Sequence, residues 1–115
     1  AADVPATVGE LTLSEIRRFR ADLCFSAPVA VHPIKGAFFY ELQEAEIAIA
    51  MAAQSQRSVL LADHSKLGET SRVRSWEPGE IDVLVTNGAA AEEELDAFRK
   101  VGVRVTTTDQ PRQSA

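Results

Sequence analysis

An alternation of apolar runs with helix-forming stretches predicts an α/β domain, built on a mostly parallel sheet flanked by helices. Two observations carry this. The runs "SVLLA", "IDVLVTNG" and "VRVTTT" each read as a buried strand that empties into polar residues. Between them, and ahead of the first, lie "AAEEELDAFRKVG" and "ELQEAEIAIAMAAQS", which carry acids near their starts and lack internal proline or glycine.

The elements follow in order. Residues 1–10 read as a loose segment, 11–108 as the α/β domain and 109–115, "DQPRQSA", as a flexible tail. "TLSEIRRF" offers Thr12 or Ser14 as a cap, Glu15 in the first turn, then Ile16 and Phe19 three apart, a short helix. "ADLCFSAPVAV" is an apolar strand that cannot run far past Pro28, because proline supplies no ladder donor. "HPIKGAFFY", punctuated by Pro33 and Gly36, reads as a connecting loop.

The longest helix is expected over Glu41 to Ser55, with Leu42, Ala45, Ala48, Ile49 and Ala52 on one face. A short strand is expected near "SRVRSW", with Trp76 as a packing residue, and Pro78–Gly79 as a turn. The last helix has Arg99 and Lys100 in its final turn and stops at Gly102. About four strands with only three helices cover a parallel sheet incompletely, so the chain reads as part of a larger domain.

The 17 acidic residues outnumber the 12 basic ones, which are scattered except for Arg17, Arg18 and Arg20; this argues against direct nucleic-acid binding. Cys24 has no partner for a disulfide and suits a buried thiol in a reducing, cytoplasmic compartment. No run approaches the ~20 apolar residues of a membrane helix, and no signal-peptide pattern opens the chain. His32 and His64 lack metal-ligand spacing, and Ser65 is not in a Gly-x-Ser-x-Gly turn. Neither a metal nor a cofactor is expected.

The polar residues at strand ends are the candidates for chemistry. "LLADHSKLG" places Asp63, Ser65 and Lys66 just past one strand, and Thr86 and Asn87 end another; if the strands are parallel neighbours, their loops share an edge. Asp63 and Ser65 equally fit the capping of a turn. Glu44 heads the apolar stripe of Ile47, Ala48 and Met51 and suits a pocket, or else stabilises the helix N-terminus. Lys35, beside Gly36, suits an anionic ligand or plain solvation.

Taken in order, "RADLCF", "EAEIAIAM", "SVLLADHSKLG", "IDVLVTN" and "LDAFRKVGVRV" resemble the sensor domain of the DeoR family of bacterial repressors, over about Leu11 to Thr107. The resemblance implies a three-layer fold of the ribose-5-phosphate isomerase and CoA-transferase kind, and a sensor for a phosphorylated sugar or related metabolite. It also implies DNA binding only through a helix-turn-helix that this chain lacks, a homo-oligomer and no membrane association. Lys35 and Lys66 would then meet the phosphate, and Glu44, Asp63 and Ser65 the sugar hydroxyls, with Thr86 in the same site.

The isomerase branch is similar at "IKG", at Glu44 and at "DHSK". However, Ser26 and Val29 stand where its aspartates are expected, so the acid–base apparatus is not carried over and the expectation is a non-enzyme. Alternatives are an isomerase-like enzyme or a decayed oligomerisation module. The chain also departs from the repressor pattern, with Ala27, Pro28 and Ala30 where a glycine-bearing turn is usual and Asn87 where an aspartate is usual.

Overall fold

The computed structural model describes residues 12–108. Two sheets organise them. The larger is all parallel in the order β1 (Ala21–Ser26), β4 (Ser55–Leu61), β6 (Val83–Asn87), β7 (Arg104–Thr108). The smaller is antiparallel and joins β2 (Ala30–His32), β3 (Gly36–Phe39) and β5 (Val73–Arg74). The helices are α1 (12–16), α2 (Leu42–Ala53) and α3 (Glu92–Lys100). The α/β class and the parallel sheet with flanking helices are as expected; the assignments for 1–10 and 109–115 lie outside the described residues.

One face of the parallel sheet carries the core. Cys24, Leu60 and Leu84 point from adjacent strands into a single cluster with Ala45 and Ala48 of α2, Leu95 and Phe98 of α3, and Trp76. The connections β1 to β4 and β6 to β7 progress in the same direction across the sheet. With the right-handed crossover rule, this sets α2 and α3 on the same side. The opposite face presents Leu23, Phe25, Arg57, Val59 and Val83, in register across three strands. As expected, Cys24 is a buried free thiol, with Sγ 3.6 Å from Ser58 Oγ.

The segment expected to be a connecting loop is instead a β-hairpin. Val31 pairs with Ala37 and His32 with Gly36, strands too short to show a period in sequence. His32 Nδ1 accepts from the N–H groups of Ile34 and Lys35, at 3.0 and 3.1 Å, and holds the turn. Gly36 has φ +97°, and a Cβ there would overlap the Trp76 carbonyl oxygen. That carbonyl accepts from Ala37 N at 2.8 Å, so the glycine permits the hairpin to close on β5.

Helix α2 also differs in its buried face. Ala45, Ala48 and Ala50 are buried and Ala52 is half-buried, whereas Leu42 and Ile49 face solvent. The large group on this interface comes from outside the helix: buried Trp76 donates from Nε1 to the Ala48 carbonyl at 2.8 Å, and the alanines leave room for its ring.

Candidate functional site

Strand β4 delivers "ADHSKLG" to the C-terminal edge of the parallel sheet beside the end of β6. Ala62 N donates to Val85 O at 3.0 Å, after which the chain turns through one 3-10 turn, His64–Lys66. Asp63 is its N-cap, accepting at Oδ2 from Ser65 N at 3.0 Å. The capping role expected of Asp63 is therefore real.

The loop is tied on two further sides. Asn87, the last residue of β6, donates from Nδ2 to Asp63 Oδ1 at 2.6 Å. Its own Oδ1 accepts from His64 N at 3.3 Å and lies 3.1 Å from His64 Nδ1. An amide oxygen only accepts, so the ring carries its proton on Nδ1 and leaves Nε2 outside this cluster. At the far end Gly68 (φ +81°) donates to Val31 O at 2.8 Å, and Leu67 is buried in the core. The loop is thus a rigid arc held by β2, β4 and β6.

Asp63 is strongly acidic, lowered to about 2. Hydrogen bonds from the Ser65 hydroxyl and backbone N–H favour the carboxylate most, and His64 and Asn87 add to them. The group is exposed, ionised at neutral pH, and its two oxygens keep acceptor capacity beyond the bonds from Ser65 N and Asn87 Nδ2. Beside it stand the exposed Ser65 and the half-buried Lys66, whose ammonium has no ion pair among the described residues.

Thr86 precedes Asn87 on β6 and is buried, with Oγ1 unpartnered among the described residues. Asp63, Ser65, Lys66 and Thr86 therefore share one strand-end neighbourhood. Lys35 lies exposed in the β2–β3 turn and Glu44 exposed in the first turn of α2; no hydrogen bond or ion pair among the described residues joins either to the loop. Sequence spacing marks His64 only as an unsuited metal ligand, yet it belongs to the cluster with Asn87. No group of three metal-ligating side chains occurs among the described residues.

A parallel sheet with helices packed on its core face and a polar loop anchored through Asp63 at its C-terminal strand edge defines an α/β domain in outline. The family is known more closely: residues 2–88 match the family model described as the DeoR C-terminal sensor domain, and the chain belongs to that family. Among curated relatives, the HTH-type transcriptional repressor GlcR of Bacillus subtilis is 38% identical over 60 residues, 52% of this chain and 23% of the relative. The deoxyribose operon repressor of Escherichia coli K12 is 28% identical over 78 residues, 68% of this chain and 31% of the relative. The HTH-type transcriptional regulator GolR of Listeria innocua is 27% identical over 97 residues, 84% and 38% of the two chains. The chain thus spans well under half the length of these relatives.

Proposed function

We propose that this chain is the effector-sensing part of a DeoR-type transcriptional repressor and that it takes a phosphorylated sugar at the Asp63–Lys66 loop. The observation that carries the reading is the rigid placement of Asp63, Ser65 and Lys66 at the C-terminal edge of the parallel sheet. In this reading Lys66 meets the phosphate and Lys35 reaches it from the hairpin turn. Asp63, ionised across the physiological range, accepts from sugar hydroxyls, and Ser65 and Glu44 complete the hydroxyl contacts. Thr86 offers its unpaired hydroxyl beneath the loop.

The reading is non-catalytic. Glu44, the base an isomerase would need, stands exposed on α2, and Ser26 and Val29 occupy the places where that chemistry needs carboxylates. DNA contact belongs to a helix-turn-helix outside this chain, of the kind named in the relatives. The whole is read as a cytoplasmic homo-oligomer; no helix among the described residues is long and apolar enough to cross a membrane. A ligand would release DNA only through different affinities for two arrangements of the assembly.

The test is a thermal-shift screen of phosphorylated sugars against their unphosphorylated parents, with Lys66→Ala beside the wild type. Stabilisation confined to phosphorylated compounds and lost in Lys66→Ala supports the reading. A response that is unchanged in Lys66→Ala refutes the assigned phosphate contact, and turnover of ribose 5-phosphate would refute the non-catalytic assignment.

A further inference from the structure

Asn87 fixes more than the position of the loop. The Asp63 carboxylate only accepts, so the Asn87 amide must turn Nδ2 toward Asp63 Oδ1, 2.6 Å away. The backbone N–H of His64 only donates, and it meets Asn87 Oδ1 at 3.3 Å, which demands the same orientation. Two independent neighbours thus agree on which end of the amide is oxygen. That oxygen lies 3.1 Å from His64 Nδ1, so the neutral imidazole holds its proton there and keeps a bare lone pair on Nε2.

The ring stands among the groups already assigned to the loop. His64 Nδ1 is 3.6 Å from Asp63 Oδ2, and Ser65 and Lys66 follow His64 in the same 3-10 turn. His64 is exposed, and Nε2 has no hydrogen bond among the described residues. The charged groups around it are Asp63 and Lys66 on the loop itself and Glu94 of α3, whose carboxylate lies 3.8 Å from where a Cβ on Gly68 would stand. Strand β6 adds only the uncharged Thr86 and Asn87, and β2 reaches the loop through Val31, while His32 is engaged in its own hairpin turn. Among the described residues only Asp63 comes within ion-pair distance of the ring.

We propose that His64 is a specificity-determining residue of the effector loop, whose Nε2 meets the ligand's phosphate and, when protonated, adds a second cationic donor to Lys66. This role rests on the phosphorylated-sugar reading of the loop and adds pH to what the sensor responds to. Against phosphate oxygens the neutral ring offers a lone pair and makes no bond; the imidazolium offers a charged N–H. Protonation leaves the Nδ1–H bond to Asn87 in place, because both ring nitrogens donate in the imidazolium. The loop therefore gains a positive charge without being rearranged, and an imidazole makes that change between about pH 5 and 8. Affinity for the phosphorylated ligand rises as pH falls.

Two measurements test this. A long-range nitrogen–proton NMR correlation on the free protein reads the His64 tautomer without any ligand; Nδ1–H is expected, and Nε2–H overturns the proposal. The second measurement titrates ribose 5-phosphate into the wild type, His64→Gln and Lys66→Ala at about pH 8 and about pH 5.5, followed by the chemical shifts of the loop amides. Acidification also removes charge from a phosphate monoester, whose second pKa is about 6, so affinity is read as the ratio of wild type to His64→Gln. The ratio is expected to be near one at the higher pH and about five at the lower, with circular dichroism confirming that the variants are folded. A ratio that does not change with pH overturns the proposal, and loss of binding in Lys66→Ala would then show that the phosphate contact beneath it survives. No binding by the wild type at either pH also overturns it, while the screen of other phosphorylated sugars decides the sensor reading separately.

Discussion

Asn87 Nδ2 donates to Asp63 Oδ1 at 2.6 Å, and the two residues are 24 apart, the same offset that pairs Val59 with Val83, Leu60 with Leu84 and Leu61 with Val85. The side chains thus prolong the register of β4 and β6 beyond the last ladder pair. The strand ends and the loop are consequently one mechanical unit, and a change at Asn87 is felt in the turn that presents Lys66.

Asn87→Ala removes the donor to Asp63 and the acceptor of His64. The expected outcome is faster amide hydrogen exchange at His64, with the protection of Leu60 and Leu84 unchanged. Exchange followed by mass spectrometry or NMR checks it; equal loss of protection in the core strands would show that the pair supports the whole sheet instead.

The acidity of Asp63 sets a pH dependence. Its folded pKa of about 2 lies below the ordinary value of 3.8, so the folded state favours the carboxylate. The stabilisation is full above the unfolded value and is lost as pH falls through about 2. Urea unfolding between about pH 5 and pH 2 should show a loss of stability that is smaller in Asp63→Asn, and an NMR titration should place the Asp63 carboxyl near 2.

Thr86→Val replaces a buried, unpartnered hydroxyl by a methyl group of similar volume. The free protein should gain about 1 kcal/mol, read as a higher urea midpoint at unchanged slope. If Thr86 serves the ligand, the same variant loses part of the thermal response to phosphorylated sugars. A variant that is both more stable and less responsive would separate the two roles of the residue.

Gly36→Ala and Gly79→Ala should differ sharply. At Gly36 a side chain meets both a positive φ and the Trp76 carbonyl, and the cost should be about 2–4 kcal/mol. At Gly79 a Cβ meets nothing within 4 Å, and the change should stay within about 0.5 kcal/mol. Chemical denaturation of the two variants side by side checks the contrast.

Much of the parallel sheet is legible in the sequence because β4, β6 and β7 are long enough to read as apolar runs, and α3 announces itself by charge at both ends. The hairpin of β2 and β3 is not, since its strands have three and four residues and its punctuation, Pro33 and Gly36, also suits a loop. The buried face of α2 departs from its periodicity because Trp76, 28 residues after Ala48, decides it. At the site, Asp63, Ser65, Lys66 and Thr86 are visible as strand-end residues. Asn87 is visible there as well, but its bond to Asp63 and the membership of His64 depend on the pairing register, which a single sequence does not display.

Trp76 is the only tryptophan of the chain, and it is 1% exposed. The residue links α2, to which its indole Nε1 donates at Ala48 O, with the small sheet, where its backbone carbonyl accepts from Ala37 N. The protein therefore carries its own optical gauge: any rearrangement that parts α2 from the hairpin wets this one ring and shifts its emission to the red. Movements of the sensor can be followed by intrinsic fluorescence, without a dye.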